Sequence, residues 1–178
     1  LVRVLNDTTQ GIGAIAVDDP GTAAITERLD PAGPRYIGQS LGGIIGTLIT
    51  ASVPQISAAT LNVPGASMTD VILDSTTFAS YRAPLDTYLG SKGWPPGSQG
   101  YLRFLDFARW VLDPADPQSF GRHLISEPLG AGAKKKVFVS WVKDDETVPN
   151  RTTGLLLRSI DVAALQDPNR ADRAALLD

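Results

Sequence analysis

The serine at position 40 is flanked by glycines in the stretch RYIGQSLGGIIG, residues 35–46. Gly38, Ser40 and Gly42 fit the pattern G-x-S-x-G, which is typical of a nucleophile elbow when it lies between a strand and a helix. Glycines suit this pattern because the serine takes a strained turn in which neighbouring Cβ atoms would collide. The turn would leave the N–H of Leu41 free to stabilise an oxyanion. The pattern predicts acyl transfer with Ser40 as nucleophile and Leu41 as one oxyanion donor; a structural glycine turn is the alternative.

The acidic segment KDDETVPN, residues 143–150, could supply the acid that such a serine requires. A serine nucleophile is activated by a base, and the base is oriented by a carboxylate. Asp144, Asp145 and Glu146 follow a predicted strand, at the strand end where open α/β sheets bind their ligands. All three compete for the role of the acid, and a solvated surface turn is the alternative. A calcium site is disfavoured because the segment lacks spaced oxygen ligands.

The sequence contains a single histidine, His123, which lies before the acidic segment. It is interpreted either as a structural residue at a surface or helix end, or as the base in a rearranged chain order. One histidine and no cysteine exclude a His-rich zinc site, thiolate metal sites and disulfides. Acyl transfer by a serine requires neither a metal nor an organic cofactor, so none is predicted.

Three short apolar runs predict the strands that position these residues. The first runs into Gly38, the second covers residues 58–63, and the third covers residues 137–142. Apolar residues at helical spacing after Ser40 predict a buried helix. The third run is almost continuously apolar, which suits a strand covered on both faces. Strands of this kind separated by helices predict an α/β fold with a mostly parallel sheet and flanking helices.

Residues 75–130 differ in composition from the rest of the chain. Nine of the twelve aromatic residues lie between positions 78 and 120. Helical spacing of Tyr101, Phe104, Leu105 and Ala108 predicts an inserted helical region between strands. Its aromatic side chains either fill a core or form a lid over the serine.

Length and composition predict one globular domain over residues 1–178. Hydrophobic residues make up 43% and charged residues 20% of the chain, as in ordinary globular proteins. The net charge of −3 and the short basic run at 134–136 disfavour nucleic-acid binding. No stretch approaches the roughly 18 apolar residues of a membrane span, so no transmembrane segment is predicted. A helix is predicted near residues 23–29.

The stretches YIGQSLGGIIGT and VSWVKDDETVPN together resemble the α/β-hydrolase superfamily, and within it the bacterial extracellular lipases and esterases. LNVPGAS after the second strand and DPADPQSF before the third are similar to the same group, so the resemblance covers most of residues 36–150. It implies that Ser40 is the nucleophile. It also implies that Asp145, followed by Val148 and Pro149 at the family's spacing, is the triad acid.

The resemblance implies a carboxylic ester or lipid substrate and an acyl-enzyme on Ser40. It further implies that residues 75–130 form a cap that covers the site as a lid. The residues themselves leave the cellular location open, and the resemblance favours a secreted or cell-envelope protein of a bacterium.

The chain departs from the superfamily's pattern at two points. The superfamily's chain order is serine, acid, histidine, and no histidine follows Asp145. No HG-type segment, which would supply the second oxyanion donor, precedes Ser40. We therefore expect the chain to be a piece of a longer hydrolase whose remainder supplies both. Two alternatives stay open, namely a serine peptidase of the prolyl-oligopeptidase type and a non-catalytic α/β-hydrolase-like binding domain.

Overall fold

The computed structural model describes residues 33–160, so the helix predicted near 23–29 lies outside the described residues. Strands and helices alternate along this part of the chain, as the sequence predicts. In chain order they are β1 (Arg35–Gln39), α1 (Leu41–Ser52), β2 (Ala58–Asn62), α2 (Met68–Asp74), α3 (Ala79–Ser91), α4 (Gln99–Leu112), a 3-10 turn (Asp113–Ala115), α5 (Pro117–Ile125), β3 (Lys136–Ser140) and α6 (Asn150–Ile160).

The three strands form one parallel sheet in the order β1, β2, β3. Helical crossovers join them, as parallel pairing requires. The prediction of a mixed α/β chain with a parallel sheet and flanking helices is therefore confirmed. The third strand ends at Ser140 rather than at position 142. Its partner β2 ends at Asn62 because Val63, with φ of 44°, leaves extended geometry, so β3 has nothing to pair with beyond Ser140.

Helix α5 packs on α1 and on α6, and all three helices share one hydrophobic core on one face of the sheet. Side chains of alternate strand residues point to this face, as the two-residue period of a strand requires. On β2 these are Ala59 and Leu61, which are 3% and 0% exposed. The core between sheet and helices contains Ala51, Ala66, Leu124, Leu156 and Ile160, with Val137 and Val139 of β3 packed against it.

The opposite face of the sheet is uncovered by the described residues. Ile37 of β1 and Phe138 of β3 lie in the same register row on either side of Thr60, and they are 81% and 64% exposed. The sequence suggested a third strand covered on both faces. Within residues 33–160 that expectation is not met, because every sheet-packed helix lies on the other side.

Helices α3 and α4 form a unit of their own, which we call the α3–α4 pair. Leu89, Tyr101 and Leu105 make a small core between these helices, and Leu73 of α2 packs against it. The predicted cap region 75–130 thus contains two kinds of helix, because α5 packs on α1 and α6 rather than on the α3–α4 pair.

Many aromatic side chains of the α3–α4 pair face outward. The exposed ones are Tyr81, Tyr88, Trp94, Phe107 and Trp110. None of the helices within residues 33–160 combines the length and the apolar character that a membrane crossing demands.

Candidate active site

Ser40 lies at the turn between β1 and α1 with φ of 52° and ψ of −119°. Residues other than glycine rarely adopt positive φ, and such strain concentrates at functional sites. Two backbone hydrogen bonds hold the turn: the N–H of Ser40 donates to Asn62 O at 2.9 Å, and the N–H of Ile44 donates to Ser40 O at 2.9 Å. The sequence pattern predicts this strand, strained turn and helix, and the described structure contains all three.

The glycines around Ser40 differ in whether the structure leaves room for a side chain. A Cβ atom at Gly38 would overlap the carbonyl oxygen of Gly42, and one at Gly43 would lie 2.9 Å from Asn62 O. By contrast, the nearest atom to a Cβ at Gly42 is the hydroxyl of Tyr36, at 3.8 Å. The expectation that both glycines of G-x-S-x-G prevent collisions is therefore right for Gly38 and wrong for Gly42.

Leu41 begins α1, and its N–H faces no acceptor among the described residues. The first backbone N–H groups of a helix have no partner within the helix, and the helix dipole adds partial positive charge at this end. The 12 residues of α1 give a helix of three turns behind the serine. This end of α1 can therefore stabilise negative charge that develops next to Ser40.

Asp145 lies in the loop between β3 and α6. Its Oδ1 accepts hydrogen bonds from the N–H groups of Thr147 at 2.8 Å and Val148 at 2.9 Å. Its Oδ2 has no hydrogen-bond partner within residues 33–160. Val148, 2% exposed, fixes the turn by packing on Gly65, where an added Cβ would lie 2.7 Å from the valine side chain. The carboxylate is thus oriented by one oxygen and leaves the other open, as an acid that orients a base requires.

The two other acids of the loop help to build it mainly through their backbone atoms. Asp144 has φ of 59°, and its N–H donates to Asn150 Oδ1 at 2.7 Å. Asn150 also donates its Nδ2 to Val142 O at 2.7 Å. The carbonyl of Glu146 accepts the Ser75 hydroxyl at 2.9 Å. Sequence reasoning missed Asn150, although an amide side chain at the start of a helix was a usable signal.

The end of β2 lies between the serine and the acid loop. Asn62 O binds the Ser40 N–H, and Asn62 Oδ1 accepts the Ser140 hydroxyl at 2.8 Å. The N–H of Val63 donates to Ser140 O at 2.7 Å. Neighbouring strands are about 4.8 Å apart, so about 10 Å separates the ends of β1 and β3 across β2. Ser40, Leu41 and Asp145 therefore lie at the same end of the sheet, where the strands finish, which we call the serine edge.

His123 lies at the opposite edge. Helix α5 starts beside the carboxyl end of β2, where Asp116 accepts the N–H of Ser67 at 2.8 Å. It ends beside the start of β3, where Lys135 N–H donates to Leu124 O at 2.7 Å. His123 is near that end, with its Nδ1 2.6 Å from Glu127 O. The helix thus holds the histidine about 10 Å of helix length away from the serine edge.

Backbone strain clusters at the serine edge. Within residues 33–160 the non-glycine residues with positive φ are Ser40, Val63, Ser67 and Asp144. Each follows the carboxyl end of a strand by one to five residues. No group of three metal-binding side chains is found in this part of the chain. The residues with positive φ in this part of the chain therefore lie close behind the carboxyl ends of the strands.

No protein-family model matches the chain, and no curated protein matches it in sequence. The α/β class follows from the strands and helices themselves.

Proposed function

We propose that the chain carries the nucleophile, one oxyanion donor and the acid of a serine carboxylic ester hydrolase of the α/β-hydrolase type. The observation that carries the proposal is the strained backbone of Ser40, with positive φ, between a parallel strand and a helix N-terminus. Asp145, with one carboxylate oxygen free at the same sheet edge, supports it. The resemblance to bacterial lipases and esterases points to the same chemistry.

In the proposed reaction, Ser40 Oγ attacks the ester carbonyl carbon and gives its proton to a base. The carbonyl oxygen becomes an oxyanion that the Leu41 N–H stabilises. Collapse of the tetrahedral intermediate expels the alcohol, which takes the proton from the base, and leaves an acyl-enzyme. Water then hydrolyses the acyl-enzyme by the same sequence of steps.

The base in this proposal is a histidine that Asp145 orients. Because the only histidine of the sequence is His123, which lies at the other edge of the sheet, the proposal requires an imidazole from elsewhere in the protein or from a partner chain. The Oδ2 of Asp145 is the oxygen to which the imidazole N–H would donate.

We propose an acyl or lipid ester as the substrate, with the α3–α4 pair as a lid over the site. Trp94, Phe104 and Phe107 line a cavity of about 540 Å³ together with Arg103. The rings of Phe107 and Trp110 lie 5.8 Å apart on the same helix. Exposed aromatic side chains of this kind suit contact with acyl chains.

A fluorophosphonate probe tests the nucleophile. The full-length protein, in the form that cells make, is incubated with the probe, and the adduct is located by peptide mapping. We expect the adduct on Ser40 and its loss in Ser40→Ala, while Ser140→Ala, a serine at the same edge, keeps the label. An adduct on another residue would overturn the assignment of Ser40.

A second candidate function is a non-catalytic binding domain that has this edge but no base. The position of His123 at the opposite edge favours it. In that case the probe leaves the protein unlabelled, and esters or lipids bind without turnover.

A further inference from the structure

One buried carboxylate receives guanidinium groups from two different helices. The side chain of Asp70 in α2 is 10% exposed, and its Oδ1 lies 2.8 Å from Arg109 Nη2 of α4 and 3.2 Å from Arg151 Nη2 of α6. Its Oδ2 accepts the hydroxyl of Ser67 at 2.7 Å. Both carboxylate oxygens of Asp70 are therefore in use, and the two arginines share one of them.

Asp70 is ionised in this setting. Its burial raises the pKa of the carboxyl group, but the hydrogen bonds from Ser67 and Arg109 and the charges of both arginines outweigh burial and hold the pKa below its ordinary value. Breaking either ion pair of such a buried carboxylate is costly, because the carboxylate then loses part of the positive charge that compensates it.

Arg151, one of the two arginines, follows directly after the loop that carries Asp145. Arg151 also binds Asp74 Oδ2, through Nη2 at 2.7 Å and Nε at 2.8 Å, so it is pinned to α2 at two points. Its neighbour Asn150 holds the loop through the Asp144 N–H and Val142 O. Displacement of the first turn of α6 would therefore move the loop.

The other arginine, Arg109, belongs to the α3–α4 pair. Arg109 is in the last turn of α4 and also lies 3.3 Å from Asp106 of the same helix. Arg82 of α3 donates to the carbonyl oxygen of Leu73 in α2. Both helices of the pair are therefore anchored on α2, and the charged anchor is the same Asp70 that holds α6.

We propose that Asp70 is a positioning residue that couples the seating of the α3–α4 pair to the placement of the Asp145 loop. Its significance for catalysis rests on the proposed hydrolase function, whereas the coupling itself is a property of the fold. A substrate that moves the α3–α4 pair would, through Arg109, Asp70 and Arg151, change the position of the acid.

Hydrogen exchange on the full-length protein tests the coupling without reference to activity. The variants are Arg109→Met, Arg151→Met and Asp70→Asn. Arg109→Met should raise exchange in residues 141–149, which Arg109 does not touch, by roughly threefold or more. Arg151→Met should raise exchange in α4 to a similar extent, and Asp70→Asn should do both.

Arg122→Met is the matched control. Arg122 forms an exposed ion pair with Glu127 at 3.6 Å, and this pair involves neither the α3–α4 pair nor the Asp145 loop. It should leave both regions unchanged. If a methionine variant does not fold, Arg109→Lys and Arg151→Lys replace it, since lysine keeps the charge but loses the planar fork. Exchange that rises only in the helix carrying the substitution would overturn the coupling.

Kinetics separate the failure of this inference from the failure of the proposed function. If Ser40 reacts with the fluorophosphonate probe, Arg109→Met and Arg151→Met should each raise KM for long-chain esters and lower kcat, because each substitution disturbs both elements. If Ser40 does not react, the proposed function fails, and the reciprocal exchange result still decides whether Asp70 couples the two elements. An effect on KM alone in Arg109→Met and on kcat alone in Arg151→Met, with no reciprocal exchange, would leave Asp70 a local structural residue.

Discussion

The carbonyl oxygen of Gly42 occupies the space into which a side chain at Gly38 would project. The first glycine of the serine turn therefore cannot be replaced unless the second moves. Gly42 itself has no close neighbour, so the two glycines of the motif differ in their tolerance of a methyl group.

We expect Gly38→Ala to lower the free energy of unfolding by about 3 kcal/mol and to abolish fluorophosphonate labelling, because overpacking shifts the backbone of Ser40. Gly42→Ala should keep the label and leave stability unchanged or raise it by up to about 1 kcal/mol, since alanine favours the helix. Urea unfolding and labelling of both variants measure these effects. Equal losses in the two would contradict the steric difference.

Asp145→Asn is expected to lower kcat by about 10²–10⁴-fold with little effect on folding. The asparagine oxygen can still accept the Thr147 and Val148 N–H bonds, but the negative charge that would orient a base is lost. Asp144→Asn is the matched control. The hydrogen bond that Asp144 makes to Asn150 uses its backbone N–H, which the substitution keeps. Ester hydrolysis by the full-length variants measures the difference. A larger loss in Asp144→Asn would transfer the acid role to that residue.

The sequence predicted the elements around the serine because their determinants are local. The alternation and glycines of residues 35–46 specify a strand, a turn and a helix without reference to the rest of the chain. The acid loop also depends on a contact between residues far apart in sequence, because Glu146 O accepts the hydroxyl of Ser75. The role of Asp70 could not be predicted from the sequence either. Its two arginines lie 39 and 81 positions later in the chain, and no short sequence pattern connects the three residues.

His123→Ala should leave fluorophosphonate labelling and ester turnover unchanged. The side chain contributes a hydrogen bond to Glu127 O and an edge contact with Phe120 at 6.3 Å, so we expect a stability loss of about 1 kcal/mol. Thermal unfolding and labelling of the variant measure both. Loss of the label in a folded His123→Ala protein would make this residue the base despite its position.

Asp70 should make stability fall at acid pH. Because the pKa of Asp70 is lowered in the folded state, its contribution is fully present above the ordinary value of 3.8 and is lost as pH falls through the folded pKa. Wild type and Asp70→Asn should therefore differ by about 2 kcal/mol at neutral pH and converge as pH falls through the folded pKa. Urea unfolding at a series of pH values measures the difference. A difference that does not change with pH would show that the charge of Asp70 is not what stabilises the fold.

Phe107 and Trp110 should matter for long acyl chains and not for short ones. They are 59% and 71% exposed, so the double variant Phe107→Ser, Trp110→Ser should lose little stability. If the α3–α4 pair contacts the acyl chain, turnover of long-chain esters should fall roughly tenfold, because the loss of each ring removes apolar contact area. Acetate esters should be hydrolysed as before. Leu129→Ser, which removes an exposed apolar side chain near the start of β3, is the control and should affect neither substrate. An equal loss on both substrates would indicate damage to the serine edge instead of a lost acyl contact.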